Sequence, residues 1–184
     1  MVQAWYMAEL GPGDDQRLPH KTDPVQPITM EELSERTGVL YWKVGDEDVE
    51  GSPLVEKIRA ERGYNYKDVI TVSPGRLDNF EAKIKMFFEE HLHADEEIRL
   101  VLEGSGYFDV RDRHDRWVRV LVERGDLLVL PAGIYHRFTC DDKDYIKACR
   151  LFCGEPVWKA HNRSPETEAM PERGSYVQQL HGTA

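Results

Sequence analysis

Several things are scarce in this sequence, and each shortage excludes a class of protein. No apolar run approaches the ~18–20 residues that carry a helix across a bilayer. The stretch Met1–Met7 has neither the basic start nor the long apolar core of a signal peptide. Positive charge is short: 24 Lys and Arg against 34 Asp and Glu leave −10. That balance argues against a polyanion as the main partner, so no nucleic acid is expected. Cysteine is rare and odd in number, at Cys140, Cys149 and Cys153, with no CxxC pair. Neither a disulfide framework nor a thiolate zinc site fits, and three buried thiols in a reducing compartment are expected. What remains is ordinary for a globular intracellular chain. Its 184 residues make one domain, and 40% hydrophobic against 32% charged content excludes disorder over the whole length.

The pattern along the chain changes character near residue 90. Before it, residues 2–7 read as a short strand, and residues 10–27, with Pro12, Pro19, Pro24 and Pro27, as an irregular surface loop. Thr29-Met30-Glu31-Glu32 is a capping box, predicting a helix that stops at Gly38, and a strand follows over Val39 to Val44. Ser52-Pro53 opens a second helix closed by Gly63. Asp78-Asn79-Phe80-Glu81 caps a third, whose Phe80, Ile84 and Phe87 form a packing stripe. After residue 90, short runs of Val, Ile, Tyr and Phe are punctuated about every ten residues. The marks are Gly104 and Gly106, Arg113-His114-Asp115, Gly125-Asp126, Pro131-Ala132-Gly133 and Asp141-Asp142. That rhythm predicts an antiparallel barrel or sandwich. From Ala160 onward the composition turns polar, and a tail lying over the surface is expected.

Chemistry concentrates in three of the seven histidines. His20, His114, His161 and His181 fall in loops or the tail. His91-Leu92-His93 is followed by Glu97, and His136 stands just after a Pro-x-Gly turn. On a helix, side chains two apart point about 200° from each other and cannot share an ion. On a strand they project from one face, about 6.6 Å apart along the backbone. Continuous strand would put Glu97 about 13 Å from His93, so the chain must bend at Ala94-Asp95-Glu96. The next strand, Glu97 to Leu102, would then fold back across the first.

These residues sit in two glycine-framed motifs, H-x-H-x3-E-x6-G over 91–104 and G-x5-P-x-G-x2-H over 125–136. Their pairing and order resemble the cupin superfamily; Cys140 departs from it, at a position that is not a ligand. The stretches Met1–Met7, Gly38–Trp42, Lys85–His93, Gly104–Arg111, Pro131–Phe138 and Leu151–Trp158 are similar to animal acireductone dioxygenases.

The resemblance implies a mainly β cupin fold, a double-stranded β-helix or jelly-roll barrel. One domain spans 1–184, with short helices in the N-terminal half and a polar tail from about 160. It implies His91, His93, Glu97 and His136 as metal ligands for Fe(II), alternatively Ni(II), with Co or Mn accepted in vitro. It implies a methionine-salvage reaction on 1,2-dihydroxy-5-(methylthio)pent-1-en-3-one with O2. The Fe form would give formate and 4-methylthio-2-oxobutanoate; the Ni form would give carbon monoxide, formate and 3-methylthiopropanoate. Phe87, Phe138 and Trp158 match pocket positions, with core packing as the alternative. Arg99, two residues from Glu97 and on the same strand face, is placed to hold a substrate anion, against an ion pair within the barrel. The family further implies a monomer in the cytoplasm and nucleus, with peripheral binding to the inner plasma membrane through the cytoplasmic tail of a membrane-type matrix metalloproteinase. Two other functions compete: a metallo-cupin isomerase or decarboxylase that needs no O2, and an interaction protein with a non-enzymatic role.

Overall fold

The computed structural model of the chain describes residues 3–45 and 47–182; Val2, at the start of the first expected strand, lies outside them. The first half contains β1 (Gln3–Tyr6), β2 (Pro27–Ile28), α1 (Met30–Thr37), β3 (Leu40–Lys43), α2 (Pro53–Arg62), β4 (Tyr66–Val72) and α3 (Phe80–Phe88). The second contains β5 (His91–Leu92), β6 (Glu97–Arg111), β7 (Trp117–Glu123), β8 (Asp126–Leu130), β9 (His136–Cys140), β10 (Ile146–Phe152), β11 (His161–Asn162), α4 (Pro165–Glu168) and α5 (Pro171–His181).

The helix ends follow local chemistry. Thr29 and Glu32 satisfy each other's backbone donors at the start of α1, and Gly38 ends it in the left-handed conformation. Ser52, Pro53 and Gly63 do the same work around α2. The third cap departs from expectation. Asn79 precedes α3 at φ 56 and its side chain makes no capping bond.

β6 builds the barrel. Its 15 residues belong to two sheets: Glu97–Leu100 pair with β8, residues 98–104 with β10, and Ser105–Arg111 with β7 and β9. One sheet runs β11-β5-β9-β6-β7-β1-β2, while β3 and β4 extend the other beyond β8 and β10. This is the double-stranded barrel expected of a cupin. Gly104 does not end the strand, as the turn-like composition suggested. It bends β6 from one sheet to the other at φ 73, beside a register shift against β10, and a Cβ there would collide with the Tyr145 carbonyl. Nor does β6 fold back across β5, because β9 lies between them.

Alternation along the strands sorts two cores. Ile98, Leu100, Leu127, Val129, Cys149 and Leu151 pack outward beneath α2, against Val55 and Ile58. Val101, Phe108, Leu128, Leu130, Ile146 and Val120 face the barrel interior. Both faces of β8 are therefore apolar, and burying a side chain of this size contributes roughly 1.5–3 kcal/mol. Cys140 and Cys149 are buried as expected, whereas Cys153 is exposed.

Two segments without strand or helix character in the sequence are pinned down. The 10–27 loop is held by Arg119, which has no exposed surface. Its Nε and Nη2 donate to Asp109 at 2.7 and 2.9 Å, and Nη1 donates to the carbonyls of Gln16 and Leu18 at 2.9 and 2.5 Å. The expected surface tail is corrected: β11 pairs with β5, and α5 sends Tyr176 and Leu180 into the interior core. Tyr176 and Leu180 stand four apart on one helical face with Val177 beside them, and the Tyr176 hydroxyl donates to the Thr37 carbonyl at 2.8 Å.

Candidate metal centre

His91, His93, Glu97 and His136 converge, their ligand atoms all within 4.8 Å of one another. Three separate local structures deliver them. His91 lies on β5, paired in register with His136 at the start of β9, and His93 follows directly. The chain then bends through Ala94-Asp95-Glu96, as the spacing required, and Glu97 opens β6 on its barrel-facing side. The imidazole centroids are 4.5 to 5.2 Å apart.

Backbone carbonyls set the tautomers. Nδ1 of His91 lies 2.6 Å from the Glu89 carbonyl, that of His93 2.7 Å from Lys159, and that of His136 2.9 Å from Ile134. A carbonyl only accepts, so each Nδ1 carries a hydrogen, which leaves Nε2 as the atom of each ring able to offer a lone pair to the centre. Nε2 of His93 and of His136 stand 3.0 and 3.1 Å from the same Glu97 oxygen. Acceptors this close are reconciled by a cation between them, and three nitrogens with one carboxylate suit a transition-metal ion better than Ca or Mg.

Burial and neighbouring charge act differently on the four groups. Burial pushes the His91 pKa down to about 4, keeping it neutral near pH 7. At His93 burial is outweighed by Glu97, which raises its pKa. Burial also opposes the Glu97 carboxylate, yet the neighbouring Arg99 guanidinium holds its pKa well below the usual range. Arg99 Nη2 lies 3.5 Å from Glu97, on the same face of β6 as expected, and Nη1 donates to the Ile98 carbonyl at 3.0 Å.

The centre opens into a cavity of about 150 Å³ whose lining is largely apolar. Phe87, Phe138 and Trp158 all line it, together with Arg99. Phe87 and Phe138 meet edge to face at 6.3 Å, and Phe138 lies 5.0 Å from Phe108. Trp158 stands at the mouth, 37% exposed, with its ring near the guanidiniums of Arg150 at 4.3 Å and Arg99 at 5.5 Å.

A profile of the ARD/ARD' family matches residues 3–160. Acireductone dioxygenase of Homo sapiens is 56% identical over 184 residues, the whole of both chains, and acireductone dioxygenase 1 of Physcomitrium patens is 54% identical over 96% of this chain and 88% of that one. The chain belongs to the acireductone dioxygenase family. It is an enzyme, and the four-ligand cluster fits a metal-dependent dioxygenase. A solved acireductone dioxygenase from Bacillus anthracis, with a cadmium ion in its active centre, shares the fold at TM-score 0.68 and 24% identity, over 88% of this chain and 98% of that one.

Sequence reasoning missed part of this acireductone dioxygenase site. Arg150 on β10 lines the cavity and donates twice to Asp68 of β4, at 2.7 and 2.6 Å. Its signal was present: it alternates with Ile146, Ala148 and Phe152, so it shares their inward face. The carbonyls that orient the imidazoles had no signal, since a backbone acceptor can belong to any residue. Four acids near the site are not among the converging groups. Glu90 binds Arg111 and Arg163, Glu96 binds Arg62 and Tyr64, Glu89 accepts from Asn162, and Asp95 sits on the cavity wall.

Proposed function

We propose that the chain cleaves 1,2-dihydroxy-5-(methylthio)pent-1-en-3-one with O2 in methionine salvage. Fe(II) then gives formate and 4-methylthio-2-oxobutanoate, and Ni(II) gives carbon monoxide, formate and 3-methylthiopropanoate. The observation that carries this reading is the union of the three-His, one-Glu cluster with Arg99 inside an apolar cavity. When bound, the ion supplies Lewis-acid and redox chemistry to an enediol and O2. The protein's own groups do the rest. Arg99 stays protonated and offers a planar fork to the substrate's anionic oxygens. Phe87, Phe138 and Trp158 wrap the methylthio end and exclude water, which strengthens that charge interaction.

The family match does not favour the isomerase, decarboxylase or purely interacting alternatives. The test reconstitutes metal-free protein with Fe(II) or Ni(II) and follows O2 uptake, headspace carbon monoxide and the acids released. Carbon monoxide from the Ni form alone is expected. Identical products from both metals overturn the metal-selected outcome, and no O2 uptake with either overturns the reaction.

A further inference from the structure

The family profile stops at residue 160, and the chain beyond that point touches both arms of the metal centre. One arm is β5 with His93. It is two residues long and meets β9 at the single register pair His91 and His136. Its other edge is closed by β11, where His161 faces Leu92 and Asn162 faces His91. Arg163 continues the attachment, its amide donating to the Glu90 carbonyl at 3.1 Å and its guanidinium to the Glu90 carboxylate at 2.7 Å. A two-residue strand with one register pair on its inner side has few ladder bonds to hold it, so β11 supplies a large share of its restraint.

The second arm is the Pro131–Tyr135 turn that delivers His136. Tyr135 is fully buried, its hydroxyl 2.7 Å from Thr167 Oγ1, and the guanidiniums of Arg163 and Arg173 lie 4.5 and 4.3 Å from its ring centre. Arg173 Nη1 donates to the Gly133 carbonyl at 3.1 Å. Gly133 has φ 84, and a Cβ there would stand 2.5 Å from the Glu172 carbonyl. Its own amide donates to the His93 carbonyl at 3.0 Å. Gly133 therefore joins the two arms to each other and to α5.

We infer that the segment β11-α4-α5 is a brace that fixes the separation of His91 and His93 from His136, with Arg173 and Tyr135 as positioning residues for metal retention. Neither residue lines the substrate cavity. Such a brace requires only that the four ligands hold an ion, whatever the reaction.

The test loads Ni(II) into the full chain and its Arg173→Gln, Arg173→Lys and Tyr135→Phe variants, then times metal release into excess EDTA. Residues that orient ligands typically govern affinity by about 10- to 100-fold. Release about ten-fold faster is expected for Arg173→Gln, and a smaller increase for Tyr135→Phe. Arg173→Lys should recover part of the loss, since an ammonium can still donate to the Gly133 carbonyl. KM of the metal-loaded variants should stay within about two-fold of the parent. Thermal unfolding of the metal-free proteins separates bracing from general stability. Release at the parent rate in both Arg173→Gln and Tyr135→Phe, whatever their melting temperatures, overturns the proposal.

Discussion

At the scale of single residues, the proposed function separates groups that would hold an ion from a group that would hold the substrate. His93→Ala or His136→Ala removes a nitrogen whose Nδ1 is already committed to a carbonyl. Metal content by elemental analysis and turnover should therefore fall together. Arg99 differs, since it approaches Glu97 without ligating. Arg99→Ala should keep its metal and lose roughly 1.5–3 kcal/mol of substrate interaction, read as a drop in kcat/KM. Arg99→Lys should restore only part, because a point charge replaces a fork. The convergence of His91, His93, Glu97 and His136, with Arg99 beside them, was legible in the sequence because it obeys spacing rules: two apart on a strand, a forced bend, a glycine-framed turn. Cys153 was not, since composition says nothing about which thiol faces solvent.

At the scale of elements, the row Arg99, Arg150 and Asp68 crosses three adjacent strands in register. Arg150 holds the Asp68 carboxyl below its ordinary pKa, against the opposing effect of burial. A carboxyl whose folded pKa is depressed contributes stability above its unfolded value near 3.9, and loses it as pH falls through the folded value. Asp68→Asn should therefore flatten the stability–pH curve below about pH 4, measured by urea unfolding from pH 3 to 6. Helix limits were readable here because caps are local: Thr29 with Glu32, Ser52 with Pro53, and Gly38 and Gly63 behind them. Gly104 misled because a glycine at positive φ serves a turn and a bulge equally well, and only the partner strands decide. The C-terminal helices were obscured for a related reason. Their docking depends on Tyr176 and Leu180 finding a barrel that the local sequence does not announce.

For the molecule as a whole, the barrel is gripped by both of its flanking segments. The grip on the 10–27 loop has a consequence for how the folded chain meets a protease. Cleavage needs a stretch of backbone that can be drawn out into an extended conformation, and exposed loops ordinarily provide it. Here the Arg17–Leu18 bond, chemically suited to trypsin, lies between two carbonyls clasped by Arg119, while the Arg17 guanidinium is itself bound to Asp15 and Asp144. Native protein should resist cutting at this site despite its prolines and polar surroundings. Arg119→Met should make it an early nick, seen by mass spectrometry as a fragment ending at Arg17, because the backbone is then free to enter the enzyme's groove.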